Sequence, residues 1–80
     1  MLAGRVKDKK GQPIEGAAIA LAATVVYSDS KGDFSMRTNA KRVTVTVLPE
    51  DFIVPGKWQV VSAPEIATAD ALVEITVEQE

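Results

Sequence analysis

The amino-acid sequence predicts an all-β fold, a seven-stranded and largely antiparallel β-sandwich with Greek-key connections. Apolar and polar residues alternate in several short runs, as they do in strands with one buried face. Glycine, proline, asparagine or aspartate separates these runs at intervals of about 8–12 residues, a spacing typical of sandwiches. The 80 residues, of which 46% are hydrophobic and 25% charged, have the length and composition of one globular domain, residues 1–80.

The strands follow from these runs in chain order. The predicted segments are residues 2–7, 16–22, 24–27, 34–37, 42–48, 58–63 and 71–78. The fifth is the clearest, because three valines alternate with threonines. The second, GAAIALA, is rich in alanine, so a short helix competes with a strand there; Gly16 and the β-branched flanks favour the strand. Pro64 ends the sixth strand because it cannot donate to a ladder, and residues 65–70 are predicted to be a connection.

Charges are distributed unevenly along the chain, whose net charge is −2. Residues 1–57 carry nine bases and six acids (+3), whereas residues 58–80 carry five acids and no base (−5). A nucleic-acid surface would need a basic stripe interleaved with aromatic residues, and the basic segment 5–10 contains no aromatic residue. We therefore expect no nucleic-acid partner. Because no apolar run approaches the roughly 18 residues of a membrane span, we also expect no membrane insertion.

Enzymatic activity and cofactor binding are not expected. The chain has no histidine and no cysteine, which removes the commonest general base and a common nucleophile. Glu50 and Asp51 are neighbours on a predicted loop, without the cleft that a catalytic carboxylate pair would flank. In the stretch SDSKGDF, Asp29 and Asp33 supply too few oxygens for a calcium loop. We predict a turn there, with Gly32 at positive φ, and no metal or other cofactor.

The first half of the chain also carries a pattern of spaced glycines with fixed neighbours. Its members are Gly4, Asp8, Gly11, Pro13, Gly16, Asp29, Gly32 and Phe34. Over residues 4–36 this pattern resembles the bacterial carboxypeptidase regulatory-like domain. The resemblance implies an Ig-like, prealbumin-like (transthyretin-like) sandwich whose first and last strands lie side by side. Arg5 and Lys7 would then lie near Glu74 and Glu78 on the outer face.

The four aromatic residues are the best candidates for a contact site. Phe34 is expected in the core. Trp58 opens a strand after a Pro-Gly pair and is either a core residue or a surface contact, with the core favoured. Phe52 begins an apolar segment, residues 52–54, that either closes over one end of the sandwich or meets a partner, with closure favoured. Tyr27 is the remaining ring and a low-ranked contact candidate.

We therefore expect a non-enzymatic structural or interaction module of a larger bacterial secreted or cell-envelope protein. Its location, extracellular, periplasmic or on the cell surface, and its accessory role are what the resemblance implies. The expected partners are other domains of the parent chain or a protein or glycan surface, and the chain itself is expected to be a monomer or a weak edge-paired dimer. Two alternatives stay open. One is a glycan-binding module that uses the aromatic residues of segment 50–58 with Tyr27, and the other is a regulatory or folding appendage of an enzyme whose catalytic domain lies elsewhere.

Overall fold

The computed structural model describes all 80 residues and shows an all-β chain of eight strands. They are β1 Leu2–Lys7, β2 Ala18–Leu21, β3 Thr24–Tyr27, β4 Asp33–Met36, β5 Arg42–Val47, β6 Trp58–Ser62, β7 Ile66–Thr68 and β8 Val73–Gln79. One 3-10 turn, Pro49–Asp51, interrupts the connection between β5 and β6. No helix is long and apolar enough to cross a membrane. The all-β prediction is confirmed.

The strands form two four-stranded sheets. Sheet I has the order β4-β1-β8-β6 and sheet II the order β3-β2-β5-β7. All neighbours are antiparallel except β1 and β8, which are parallel. Twelve buried apolar residues, contributed by both sheets, form the core, an arrangement consistent with a β-sandwich. The chain passes from β3 in sheet II to β4 in sheet I, so β3 lies at the side of the domain opposite β6.

The alanine-rich segment is a strand, as predicted, but it is shorter than the sequence indicated. Ile19 and Leu21 are fully buried, and Ala18 and Ala20, which alternate with them, leave little bulk on the other face of the sheet. Ala22 has a φ of 56°, in the left-handed region, and this ends β2 in a tight turn to β3. The backbone of this turn decides the strand boundary, whereas the hydrophobic pattern continues past it.

The predicted count of seven strands is wrong, because the presumed connection at residues 65–70 contains β7. Ala67 is buried, with 1% of its surface exposed, and lies opposite Val43 of β5. Three residues are too few to show an alternation, and alanine is a weak strand former. The partner strand lies more than twenty residues earlier in the chain, so local sequence does not reveal the pairing.

The first and last strands lie side by side, as the resemblance implied. Arg5 is opposite Glu74 in the parallel register between β1 and β8. Its ion pair, however, is with Asp33, at 2.9 Å between Nε and Oδ1. Strand β4 borders β1 on the other side and brings Asp33 directly opposite Arg5, so the expected partner Glu74 is displaced.

The expected approach of Lys7 to Glu78 is also corrected. Lys7 lies opposite Thr76, and Glu78 is two residues further along β8. The side chain at that level is Lys9, whose Nζ lies 2.9 Å from the carboxylate of Glu78. The expected adjacency of β1 and β8 is therefore correct, but Arg5 forms its ion pair with Asp33 of β4, and Glu78 forms its ion pair with Lys9.

Candidate interaction surfaces

The SDSKGDF stretch is a turn closed by its own aspartate. The Oδ1 atom of Asp29 accepts hydrogen bonds from the backbone N–H groups of Lys31 and Asp33, both at 2.9 Å. The Gly32 N–H donates to the Asp29 carbonyl, and Gly32 has a φ of 78°. The Gly32 carbonyl in turn accepts from the N–H of Val6 at 2.7 Å. The turn is thereby bonded to β1.

A second turn after β1 repeats this pattern. The Oδ1 atom of Asp8 accepts from the N–H groups of Lys10 (2.8 Å) and Gln12 (2.9 Å), and the Gly11 N–H donates to the Asp8 carbonyl. Pro13 then forms an antiparallel bridge back to the end of β1. Both turns share the sequence Asp-x-Lys-Gly, because an aspartate that bonds its own backbone and a glycine at positive φ are needed at those two places.

Neither turn brings three potential metal ligands together. One carboxylate oxygen of each aspartate is already occupied by two backbone donors, and Asp33 is ion-paired with Arg5. No group of three His, Cys, Asp or Glu side chains comes together in the structure to hold a cation. The two motifs organise the chain and present no ligand set.

Ser28 is a structurally important residue that sequence reasoning missed. It is the one buried polar residue, with 5% exposure. Its Oγ accepts from the N–H of Ala17 at 2.9 Å and donates to the carbonyl of Ile14 at 2.6 Å. A serine just before an Asp-x-Lys-Gly turn could have been the signal, but its two partners lie on a distant segment.

The other residues of the glycine pattern lie at close contacts. A Cβ on Gly4 would collide with the ring of Phe34, so this glycine makes room for the buried aromatic side chain. The carbonyl of Gly16 accepts from the N–H of Ile53 at 2.8 Å, which attaches the apolar loop to the start of β2. All eight pattern residues thus lie in turns or at places where strands pack closely together.

Phe52 and Trp58 form an aromatic pair at one side of the domain. Their ring centroids are 6.0 Å apart, with an angle of 39° between the planes. Both residues are half-buried and pack against the core, as does Val54, while Ile53 between them is 70% exposed. The Nε1 atom of Trp58 is buried and has no hydrogen-bond acceptor.

An open hollow of about 560 Å³ adjoins Trp58. Gln59 and the carboxylates Glu50 and Asp51 line it, together with apolar side chains from the end of β5. Tyr27 is not part of this group, because β3 lies at the opposite side of the domain. The structure therefore joins two of the three candidate aromatic residues and separates the third, whose side chain is 48% exposed.

The outer face of sheet I is charged. By the strand registers it carries Arg5, Lys7, Asp33, Glu74 and Glu78. The hydrogen bond to Asp33, with the negative charge of that carboxylate, raises the pKa of Arg5. Hydrogen bonds from Lys9 and Gln59 lower the pKa of Glu78. Two ion pairs, Arg5–Asp33 and Lys9–Glu78, lie on this side, and Lys7 and Glu74 add one charge of each sign.

The outer face of sheet II is almost free of charge. By the registers it carries Ala20, Val25, Tyr27, Arg42, Thr44, Thr46, Ile66 and Thr68, while Ala18 is on the same side of the sheet but fully buried. Arg42, at the start of β5, is the single charged member. Small alanines occupy β2, one of the two middle strands, and Val25, Tyr27 and Ile66 are 44%, 48% and 42% exposed on the two edge strands. The two outer faces of one small domain thus differ sharply in chemistry.

Comparison of the chain with known proteins found no matching family model, no matching curated protein and no matching solved structure.

Proposed function

We propose that the domain is a non-enzymatic interaction module of a larger bacterial secreted or cell-envelope protein, and that it docks through the outer face of sheet II. The single observation behind this proposal is the contrast between the two outer faces. Interface centres are depleted in charged residues relative to the rest of a protein surface. Sheet II offers such a surface, whereas sheet I does not.

The proposed partner is a neighbouring protein domain of the parent chain. The face combines alanine, threonine hydroxyl groups and three exposed larger side chains, and its one charge, Arg42, lies at the start of β5. A partner can therefore pack closely against the rest of the face without desolvating a charge. The family assignment to carboxypeptidase regulatory-like domains, with prealbumin-like Greek-key connections, belongs to the same proposal. Its support is the glycine pattern together with the adjacency of β1 and β8.

The test compares the melting temperature of the domain alone with that of the domain within the longest natural chain that contains it. Docking onto a neighbour stabilises the folded state, so the domain should melt at a higher temperature in the longer chain. Thr46→Glu places a charge on the outer face of sheet II and should remove this gain. Ser35→Glu is the matched control, because Ser35 is an exposed residue on the outer face of sheet I. The absence of any gain, or a gain removed only by Ser35→Glu, contradicts the proposal.

A second candidate function is glycan binding at the hollow beside Trp58. The observation that favours it is the grouping of Trp58 with Glu50, Asp51 and Gln59 around this hollow, since sugar sites combine a ring for stacking with polar groups for the hydroxyls. Trp58 is the only tryptophan, so its fluorescence reports on this place alone. Titration with a panel of polysaccharides should shift or quench the emission, and Gln59→Ala should weaken the effect. Unchanged emission at saturating sugar excludes this function.

A further inference from the structure

Each sheet has two edge strands, and three of the four edges carry features that hinder pairing with another chain. Strand β4 begins with Asp33, which is ion-paired with Arg5 on the neighbouring strand. Strand β6 has an irregular register with β8, as in a β-bulge. Strand β7 has three residues and lies between Glu65 and Asp70. Charges, bulges and short length are the means by which natural sheets protect their edges.

The fourth edge, β3, has no charge and no bulge within the strand, and a charged residue, Asp29, follows it on one side only. Its register with β2 is regular from Thr24 to Tyr27, and the segment from residue 16 to residue 28 contains no charged residue and no proline. The strand sequence TVVY consists of residues with high β-propensity. This edge is therefore the one most competent to accept another strand.

The backbone groups that face outward from β3 can be assigned from its hydrogen bonds. The N–H and C=O of Ser28 both bond to the neighbouring segment before β2, through Ala17 and Gly16. Because successive residues of a strand direct these groups to opposite sides, Val25 and Tyr27 direct theirs away from the sheet. The N–H and C=O groups of these two residues have no partner among the remaining backbone hydrogen bonds.

We propose that two copies of this chain pair antiparallel through β3, about a two-fold axis at Val26. In this register Val25 of each copy faces Tyr27 of the other, and all four outward groups of each copy are bonded. Each pair joins a β-branched to an aromatic side chain on the outer face of sheet II, a favourable cross-strand combination. The two copies then share one eight-stranded sheet.

The pairing is weak, because two short strands bury far less surface than a stable interface of roughly 1,200–2,000 Å². We expect a dissociation constant of roughly 0.1–1 mM. The inference concerns the edge of sheet II and does not depend on the proposed function. That function is tested by the melting temperature of a longer chain, so either proposal can fail while the other stands.

Sedimentation equilibrium of the 80-residue chain tests the pairing directly. We expect a monomer–dimer equilibrium whose dissociation constant rises at least tenfold for Val25→Pro, which removes an outward N–H. The control is Val60→Pro on β6, whose N–H also points outward, because the carbonyl of Lys57, three residues earlier, is bonded to the N–H of Glu80, just after the end of β8. A chain that stays monomeric at about 1 mM, or one whose dimer is weakened only by Val60→Pro, overturns the proposal.

Cysteine crosslinking tests the register independently of proline effects. The chain has no cysteine, so a single introduced thiol can bridge only to its own counterpart. In the proposed register the two residues at position 26 have Cα atoms about 4.5 Å apart, within disulfide range. The two at position 25 are diagonal, at about 7–8 Å. Val26→Cys should form a disulfide dimer under mild oxidation and Val25→Cys should not; the reverse result refutes this register.

Discussion

The two Asp-x-Lys-Gly turns allow a matched test of what each glycine does. Gly11 and Gly32 have nearly the same φ, 84° and 78°. A Cβ on Gly11 would meet no atom within 4 Å, whereas a Cβ on Gly32 would lie 2.5 Å from the carbonyl oxygen of Val6 and 3.1 Å from the Cβ of Pro13. Substitution by alanine therefore imposes the same backbone strain at both positions and a collision at only one.

The expected losses of stability follow from these two terms. Left-handed backbone costs an L-residue about 1–2 kcal/mol, and this is the whole expected loss for Gly11→Ala. Overpacking against immobile neighbours adds about 1–3 kcal/mol, so Gly32→Ala should lose about 2–5 kcal/mol. The whole domain is expected to have about 4–12 kcal/mol, at the usual value per residue. Gly32→Ala should therefore consume a large part of the stability, and Gly11→Ala only a small part.

Urea unfolding followed by circular dichroism measures both losses. The slope m should stay constant, so that the shift of the midpoint reports the free energy of unfolding. Asparagine tolerates the left-handed region, so Gly11→Asn should recover most of the loss at position 11, while Gly32→Asn should recover little because its Cβ meets the same atoms. Equal losses for the two alanine variants would refute the assignment of a packing role to Gly32.

Three further outcomes follow from single contacts. Ser28→Ala leaves a buried N–H and a buried carbonyl without their side-chain partner and should cost about 1–3 kcal/mol in urea unfolding; a loss below about 0.5 kcal/mol would contradict the buried hydrogen bonds. Because the pKa of Glu78 is lowered in the folded state, its ionised form stabilises the fold above the ordinary carboxyl pKa, and this stability is lost as the pH falls through the folded-state pKa. Glu78→Gln should therefore reduce the change in melting temperature between about pH 5 and pH 3, and Lys9→Gln should do the same. Trp58→Phe removes a buried N–H without an acceptor and should change stability by less than about 1.5 kcal/mol; a larger loss would show that the indole is satisfied in solution.

Local sequence determined much of the fold that could be predicted. Alternation over five or more residues, as in β5 and β8, identified strands because one face of each is buried. The two turns were also predictable, since an aspartate and a glycine three residues later close on themselves without help from the rest of the chain. Strand β7 was not predictable, because it has only three residues and its partner strand, β5, lies more than twenty residues earlier in the chain.

The ion pairs show why sites are harder to predict than strands. The sequence identified Arg5 and Glu78 as members of charge pairs, but the partners depend on register, which places Asp33 beside one and Lys9 beside the other. The same holds for the aromatic residues. Phe52 and Trp58, six residues apart in the chain, pack against each other, whereas Tyr27 lies on β3, at the side of the domain opposite β6.

The charge asymmetry has a different meaning in three dimensions from its meaning along the chain. In sequence, the first 57 residues are net positive and the last 23 are net negative. From the sequence alone one would expect a positive and a negative region on the surface. In the structure β8, with its acids, lies between β1 and β6, so acids and bases neutralise each other on the outer face of sheet I. The outward positions of sheet II come from four separate segments, each nearly uncharged, and only their pairing assembles them into one face. A charge placed at Thr46 has no compensating partner opposite it, because its cross-strand neighbour is Ala20. This is why Thr46→Glu and Ser35→Glu, chemically similar changes, should have different consequences for docking.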